Sequence, residues 1–244
     1  MAADGITKIG QTITSICDGK YRRDWISNPT VAPTNAIQYF SLKWQILRYS
    51  DVMLMFAEAE NEINGPTAAA YNAVNQVRRR GYGKPIATAN AAVDLPSGLS
   101  KADFFKALVK ERSLELGGEG IRKYDLIRWN LLASTIADTK ATLLAMSTLT
   151  APYDKLPIAM YYKTTGTSDD NTFGPNSLWV NSFYTTAPTA TPAGTTKIVW
   201  MSAAINTTAL ARYATGFVTG KSELLPIPQP ARDANRNLTQ NPGY

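Results

Sequence analysis

The sequence predicts a mainly α fold of helical hairpins, with long irregular loops and little β structure. Three observations predict it. Apolar residues recur at the 3.6-residue helical period in separate stretches between residues 46 and 116. Turn formers stand where helices must stop, at Asn64-Gly65-Pro66-Thr67 and at Gly117-Gly118. Beyond residue 150 the period is lost, and Thr, Pro, Gly and aromatic residues take over. With 44% hydrophobic and 18% charged residues, the 244-residue chain can bury a sizeable core.

Residues 1–40 are polar and turn-rich, and Asp18 to Trp25 reads as a loop leading into structure. The first helix is expected from Ile46 to Ile63, with Tyr49, Val52, Met53, Phe56 and Ile63 on one stripe. Leu54, Met55 and Ala57 widen that surface, so the helix is expected to be largely buried, with Arg48, Asp51, Glu58 and Glu62 as its polar strip. Pro66 then sits near the first turn of a second helix, where its missing N–H costs little. That helix is expected from Thr67 to Arg80, lined by Ala70, Ala73, Val74 and Val77 and ended by Gly81. The small stripe lets a partner helix approach closely. The pair has about the 34-residue length of a tetratricopeptide unit, and no second copy follows at that period.

A Pro/Ala/Gly-rich connection covers residues 82–99. Ser100-Lys101-Ala102-Asp103 forms a capping box for a third helix, with Phe105, Leu108, Val109 and Leu116 facing inward. Arg112 falls on that stripe, so its guanidinium must find partners inside. A short helix holds Tyr124 to Trp129, and another runs from Leu132 to about Met146. Thr185–Thr196 is of low complexity, Lys197–Met201 reads as a short strand, and Leu224–Pro228 and the Asn-rich tail read as extended. The chain therefore divides into a polar segment 1–45, a helical scaffold 46–147 with one tetratricopeptide-like hairpin, and a loop-rich region 148–244.

Composition excludes several chemistries. Histidine is absent, which removes Ser-His-Asp triads, Cys-His dyads and His-containing zinc sites. Cys17, the only cysteine, cannot form an internal disulfide or a thiolate metal cluster. No catalytic residue, metal site or cofactor is predicted. The net charge of +6 is dispersed. Its nearest cluster, Arg78-Arg79-Arg80, lies where the helix dipole favours cations, so it reads as a solvated last turn, and no nucleic acid partner is expected. No apolar run can cross a membrane. The start lacks signal-peptide features, so the chain is either cytosolic or numbered from within a longer exported parent; the motifs below favour the parent.

Three blocks taken together are specific. The first runs from Leu47-Arg48-Tyr49-Ser50-Asp51 through Ala57-Glu58-Ala59 to Gly65-Pro66-Thr67. The second is Glu111-Arg112-Ser113-Leu114-Glu115-Leu116, then Glu119-Gly120 and Tyr124-Asp125-Leu126-Ile127-Arg128-Trp129. The third is Leu225-Pro226-Ile227-Pro228, then Asn235 and Asn237 to Tyr244. In this order the chain, from Asp18 to Tyr244, resembles the C-terminal half of the SusD/RagB family of outer-membrane nutrient-binding lipoproteins. It departs from the family at Ile121, where a His is usual; the N-terminal half is missing, and no lipobox precedes Cys17. The resemblance implies tetratricopeptide-like hairpins carrying binding loops, on the outer face of a Gram-negative cell. It implies a lipid anchor in the missing half, a TonB-dependent outer-membrane transporter as partner, and glycan or peptide delivery without catalysis.

Within that frame, Glu111, Arg112, Glu115, Glu119, Arg122, Asp125 and Arg128 alternate in sign and read as an internal ion network joining two helices. A carboxylate-dependent hydrolase built on Glu111 and Glu115 is the lesser alternative, because neighbouring arginines would hold both acids ionised. A protein- or peptide-interaction module of the same uptake complex is another. Ligand binding is expected in residues 153–213, where aromatic faces for sugar rings alternate with amides for hydroxyls. The predicted ligand-binding residues are Trp179, Asn181, Phe183, Tyr184 and Trp200, with Trp25 nearer the missing half. Faces normally covered by the missing helices are expected to favour self-association.

Overall fold

A computed structural model of the chain describes residue 20 and residues 45–154, 159–163, 190, 191, 193, 195–199 and 206–244. It divides into two compact units, one of residues 18–128 and one built on residues 129–244. Among the described residues the fold is mainly α.

The first unit holds α1 (Tyr49–Asn64), α2 (Ala68–Gly81), α3 (Lys101–Glu115) and α4 (Arg122–Arg128). Gly65 ends α1 at φ 82°, ψ −172° and returns its N–H to the Asn61 carbonyl. That region of backbone space is essentially open to glycine alone. Thr67 caps α2 by accepting from the Ala70 N–H at 3.3 Å. Ser100 caps α3 as the capping box requires, accepting from the Asp103 N–H at 3.1 Å.

The core joins Leu54 and Ala57 of α1, Ala70, Ala73, Val74 and Val77 of α2, and Phe104 and Leu108 of α3. Tyr71 meets Phe104 edge to face at 5.0 Å. The Tyr71 hydroxyl also accepts from the Leu99 N–H at 2.9 Å, and Asn75 accepts from the Leu95 N–H at 2.9 Å. These two bonds draw the irregular connection 82–99 onto the hairpin.

One expected face is turned. On α1 the buried residues are Ser50, Asp51, Leu54, Ala57 and Asn61. The stripe expected inside faces out, with Tyr49 76%, Val52 41%, Phe56 49% and Ile63 79% exposed; of that stripe, Met53 packs against the core. The reason is steric and electrostatic. Ala57 opposite the small face of α2 permits a close approach that Tyr49 and Phe56 would block. The polar residues on this face find partners on α3, Asn61 donating to the Lys101 carbonyl at 3.1 Å and Asp51 accepting from Arg112 at 2.7 Å. On α3 the expected face does lie inside, with Leu108, Leu116 and Arg112 buried and Phe105 packed against the core; Phe104 is fully buried beside them and Glu111 turns in next to Arg112. The first helix also starts at Tyr49, leaving Ile46 outside it.

The second unit contains α5 (Leu132–Ser147), β1 (Ala159–Lys163), β2 (Thr195–Val199), α6 (Thr207–Arg212) and α7 (Gln229–Ala234). β1 and β2 pair antiparallel, Ala159 opposite Val199 and Lys163 opposite Thr195. The strand expected at Lys197–Met201 thus begins two residues earlier. Asn206 starts α6 by accepting from the Ala209 N–H at 2.9 Å, and the short α7 interrupts the tail expected to be extended. Residues 225–228 do run extended, held by the chain's last residues. The Gln240 carboxamide accepts from the Ile227 N–H at 2.7 Å and donates to its carbonyl at 3.0 Å, as a neighbouring strand would. Asn241 donates to the Leu225 carbonyl at 2.6 Å and the Tyr244 hydroxyl to that of Leu224 at 3.0 Å.

Candidate functional site

The chemistry-bearing side chains of the first unit form an ionic framework across its four helices. At its centre, Arg112 on α3 donates to Asp51 on α1 and, through two nitrogens, to both oxygens of Asp125 on α4. Arg128 donates to Asp125 at 3.0 Å and reaches back to Glu58 on α1 at 2.7 Å. Its hydrogen bond to Glu58 holds the Arg128 guanidinium above its ordinary pKa, against burial. Arg122 donates to the Val109 carbonyl at 3.0 Å, and burial pushes its guanidinium down. The alternating charges expected to join two helices therefore tie α1, α3 and α4 together.

The arginine run closing α2 is not uniformly solvated, which corrects the expectation for it. Arg78 donates to the Val93 carbonyl and to Glu111, both at 2.7 Å. Arg79, 6% exposed, grips Asp94 through Nε at 2.7 Å and through Nη2, and donates to the Ile86 carbonyl at 2.9 Å. Only Arg80 stays in solvent, paired with Glu115. Helix-dipole reasoning explains the cations at this end, yet two of the three are spent on anchoring the connection and α3.

A third cluster lies at the C-terminal end of α3. Arg48 donates to Ser50, to the carboxylates of Glu115 and Glu119 and to the Glu115 carbonyl. Lys20 donates to the carbonyls of Glu115 and Gly117 at 2.9 and 3.1 Å and pairs with Glu119. A cation over the last carbonyls of a helix complements its dipole. Burial pushes the Glu119 carboxyl up, but the hydrogen bonds from Arg48 and Lys20 outweigh it and leave the group below its ordinary range. Arg48 is lowered by burial and raised more by the same glutamates. Around this cluster opens a pocket of about 390 Å³ lined by Lys20, Gln45, Arg48, Arg80, Leu114, Glu115 and Glu119.

The predicted ligand residues Trp25, Trp179, Asn181, Phe183, Tyr184 and Trp200 lie outside the described residues. Sequence reasoning missed the pocket. Lys20 reaches a partner 99 positions away and Arg48 one 71 away, separations no local pattern reports. A usable signal was Arg80, the last cation of a run whose helical phase differs from its neighbours.

The carboxylates considered for hydrolysis are both engaged. Burial pushes Glu111 up against the pull of Arg78, and the residue is 6% exposed. Glu115 pairs with Arg48 and Arg80.

A sequence profile of the SusD family matches residues 18–244. The chain belongs to the SusD family. SusD-like protein P25 of Formosa agariphila is 40% identical over 116 residues, which is 47% of this chain and 21% of that protein. SusD-like protein P38 of the same organism is 34% identical over 111 residues, 46% of this chain and 20% of that protein. The matched stretch is about a fifth of the length of these curated SusD relatives. A SusD homolog of known structure from Bacteroides thetaiotaomicron shares 34% identity, with a TM-score of 0.48 over 82% of this chain and 27% of that one.

Proposed function

We propose that this chain is part of a non-catalytic glycan-binding protein of nutrient uptake, held at the outer membrane by a lipid anchor and passing its ligand to a TonB-dependent transporter. The observation that carries the reading is the family match over residues 18–244. Residues 46–147 serve as the scaffold and 148–244 as the region that carries the binding loops.

The proposed ligand residues are Trp179, Asn181, Phe183, Tyr184 and Trp200, with Trp25, nearer in sequence to the missing half, as a further candidate. Aromatic faces stack on the C–H faces of sugar rings, and the asparagine amide bonds hydroxyls. The state of the acidic residues supports binding without cleavage. A general acid must reach the glycosidic oxygen, whereas Glu111 is 6% exposed and tied to Arg78.

Affinity electrophoresis of the chain against a polysaccharide panel, with product analysis on the same samples, tests this. Retardation by one glycan class without new reducing ends is the expected result, and Trp179→Ala should abolish it. Release of oligosaccharides would overturn the non-catalytic reading. Capture of a transporter without retardation by any glycan would replace glycan binding with a protein-interaction role.

A further inference from the structure

Among the described residues lining the pocket at the end of α3, Arg80 has hydrogen-bonding capacity to spare. A guanidinium carries five N–H donors and an ammonium three. The donors of Arg48 are spent on Ser50, Glu115 and Glu119, and those of Lys20 on Glu115, Gly117 and Glu119. Arg80 uses a single nitrogen, on Glu115, and is 58% exposed. Arg80 is also one of the residues that line the pocket.

Charge points the same way. Among the described residues of the lining, Lys20, Arg48 and Arg80 face two carboxylates, Glu115 and Glu119, which leaves one net positive charge. Glu115 is shared by Arg48 and Arg80, and Glu119 by Arg48 and Lys20, so the surplus is spread over three cations, of which Arg80 is the most exposed. Beside it stand the exposed amide of Gln45 and Leu114, 62% exposed. A volume of about 390 Å³ falls in the range of small-molecule sites, about 300–1,000 Å³.

We propose that this pocket binds the acid group and ring of an anionic sugar, a uronate or a sulfated residue. Arg80 takes the acid group through its planar fork, Gln45 bonds ring hydroxyls, and Leu114 lies under the apolar face of the ring. The proposal rests on the glycan-binding reading and narrows it to acidic glycans.

The test is calorimetric titration of the full chain with a uronate oligosaccharide, a sulfated one, a neutral oligosaccharide of matching linkage, and oligoglutamate. Arg80→Ala, Arg80→Lys and the control Lys84→Ala are compared, with circular dichroism confirming that each folds. Acidic oligosaccharides should bind at least about tenfold more tightly than neutral ones, and Arg80→Ala should remove that preference. Arg80→Lys should restore it only in part, because an ammonium lacks the fork. Lys84→Ala should change binding less than about twofold, as expected of a screened surface charge. Which acidic oligosaccharide binds decides between carboxylate and sulfate.

Equal affinity for acidic and neutral sugars overturns the proposal. So does an equal loss in Arg80→Ala and Lys84→Ala, which would mark diffuse attraction to a basic chain, or equally tight oligoglutamate, which would mark a peptide site. Neutral-glycan binding indifferent to Arg80 removes this proposal and leaves the glycan reading standing. Absence of any glycan binding removes both.

Discussion

The guanidinium of Arg112 holds both carboxylate oxygens of Asp125, Nε to Oδ2 at 2.8 Å and Nη2 to Oδ1 at 3.1 Å. Its remaining terminal nitrogen donates to Asp51 at 2.7 Å. One side chain, 4% exposed, thereby fastens α1, α3 and α4. A buried charge is tolerated only when its donors are satisfied, and removing one partner leaves the others buried and unpaired. Arg112→Ala should therefore destabilise the chain by about 3–5 kcal/mol. Urea denaturation followed by circular dichroism measures it, and a loss below about 1 kcal/mol would reduce the network to the worth of a surface pair.

The turned face of α1 can be tested by contrast. Leu54→Ala removes a fully buried side chain and should cost about 2–5 kcal/mol. Phe56→Ala removes a larger one that is 49% exposed and should change stability by only about 0.5 kcal/mol. Thermal melts of the two variants settle which face is inside; the reverse order would restore the orientation expected from periodicity.

Gly65 tests the turn between α1 and α2. Alanine at φ 82°, ψ −172° meets a backbone region closed to it. Its chain neighbours aside, no atom of the described residues lies within 4 Å of where its Cβ would stand, so the expected penalty is conformational and not steric crowding. Gly65→Ala should lower stability by about 1–3 kcal/mol, read from the shift in denaturation midpoint. An unchanged midpoint would mean that the turn relaxes freely.

The acid response follows from opposed carboxylates. Glu119 and Asp94 lie below their ordinary range, Glu119 because bonds from Arg48 and Lys20 outweigh burial, Asp94 chiefly through its bond from Arg79. A carboxylate lowered on folding contributes stability above its unfolded value, about 4 for Asp and Glu, and loses it as pH falls through the folded value. Glu111 is raised by burial, so its part runs the other way and declines as pH rises from the unfolded to the folded value. Stability should fall on acidification below about pH 4, and Glu119→Gln should flatten that fall. Parallel pH profiles of the wild type and the variant would show that Glu119 does not contribute.

How much of this was legible depends on the range of the interaction. The capping residues Thr67 and Ser100 act on N–H groups three positions away. The glycine stop after α1 is equally local, so both could be read from neighbours. The small residues Ala70, Ala73, Val74 and Val77 do line the core, because a narrow stripe has one place to pack. The stripe of α1 misled because periodicity counts apolar residues and cannot see partners. Asp51 and Asn61 are inside only because Arg112 and the Lys101 carbonyl, 61 and 40 positions away, await them.

The sequence by itself determined the helical character, the stops and caps of α2 and α3, the need of Arg112 for buried partners, and the family, since each is written in local pattern or in ordered motifs. Only the tertiary structure decided which face of α1 is buried, how three consecutive arginines divide between scaffold and solvent, and that Lys20, Arg48, Glu115 and Glu119 meet around one pocket. Helix propensity and capping are short-range and act within a turn or two. The pairing of charges across helices is decided when side chains far apart in sequence are brought within hydrogen-bond reach, and folding alone brings them there.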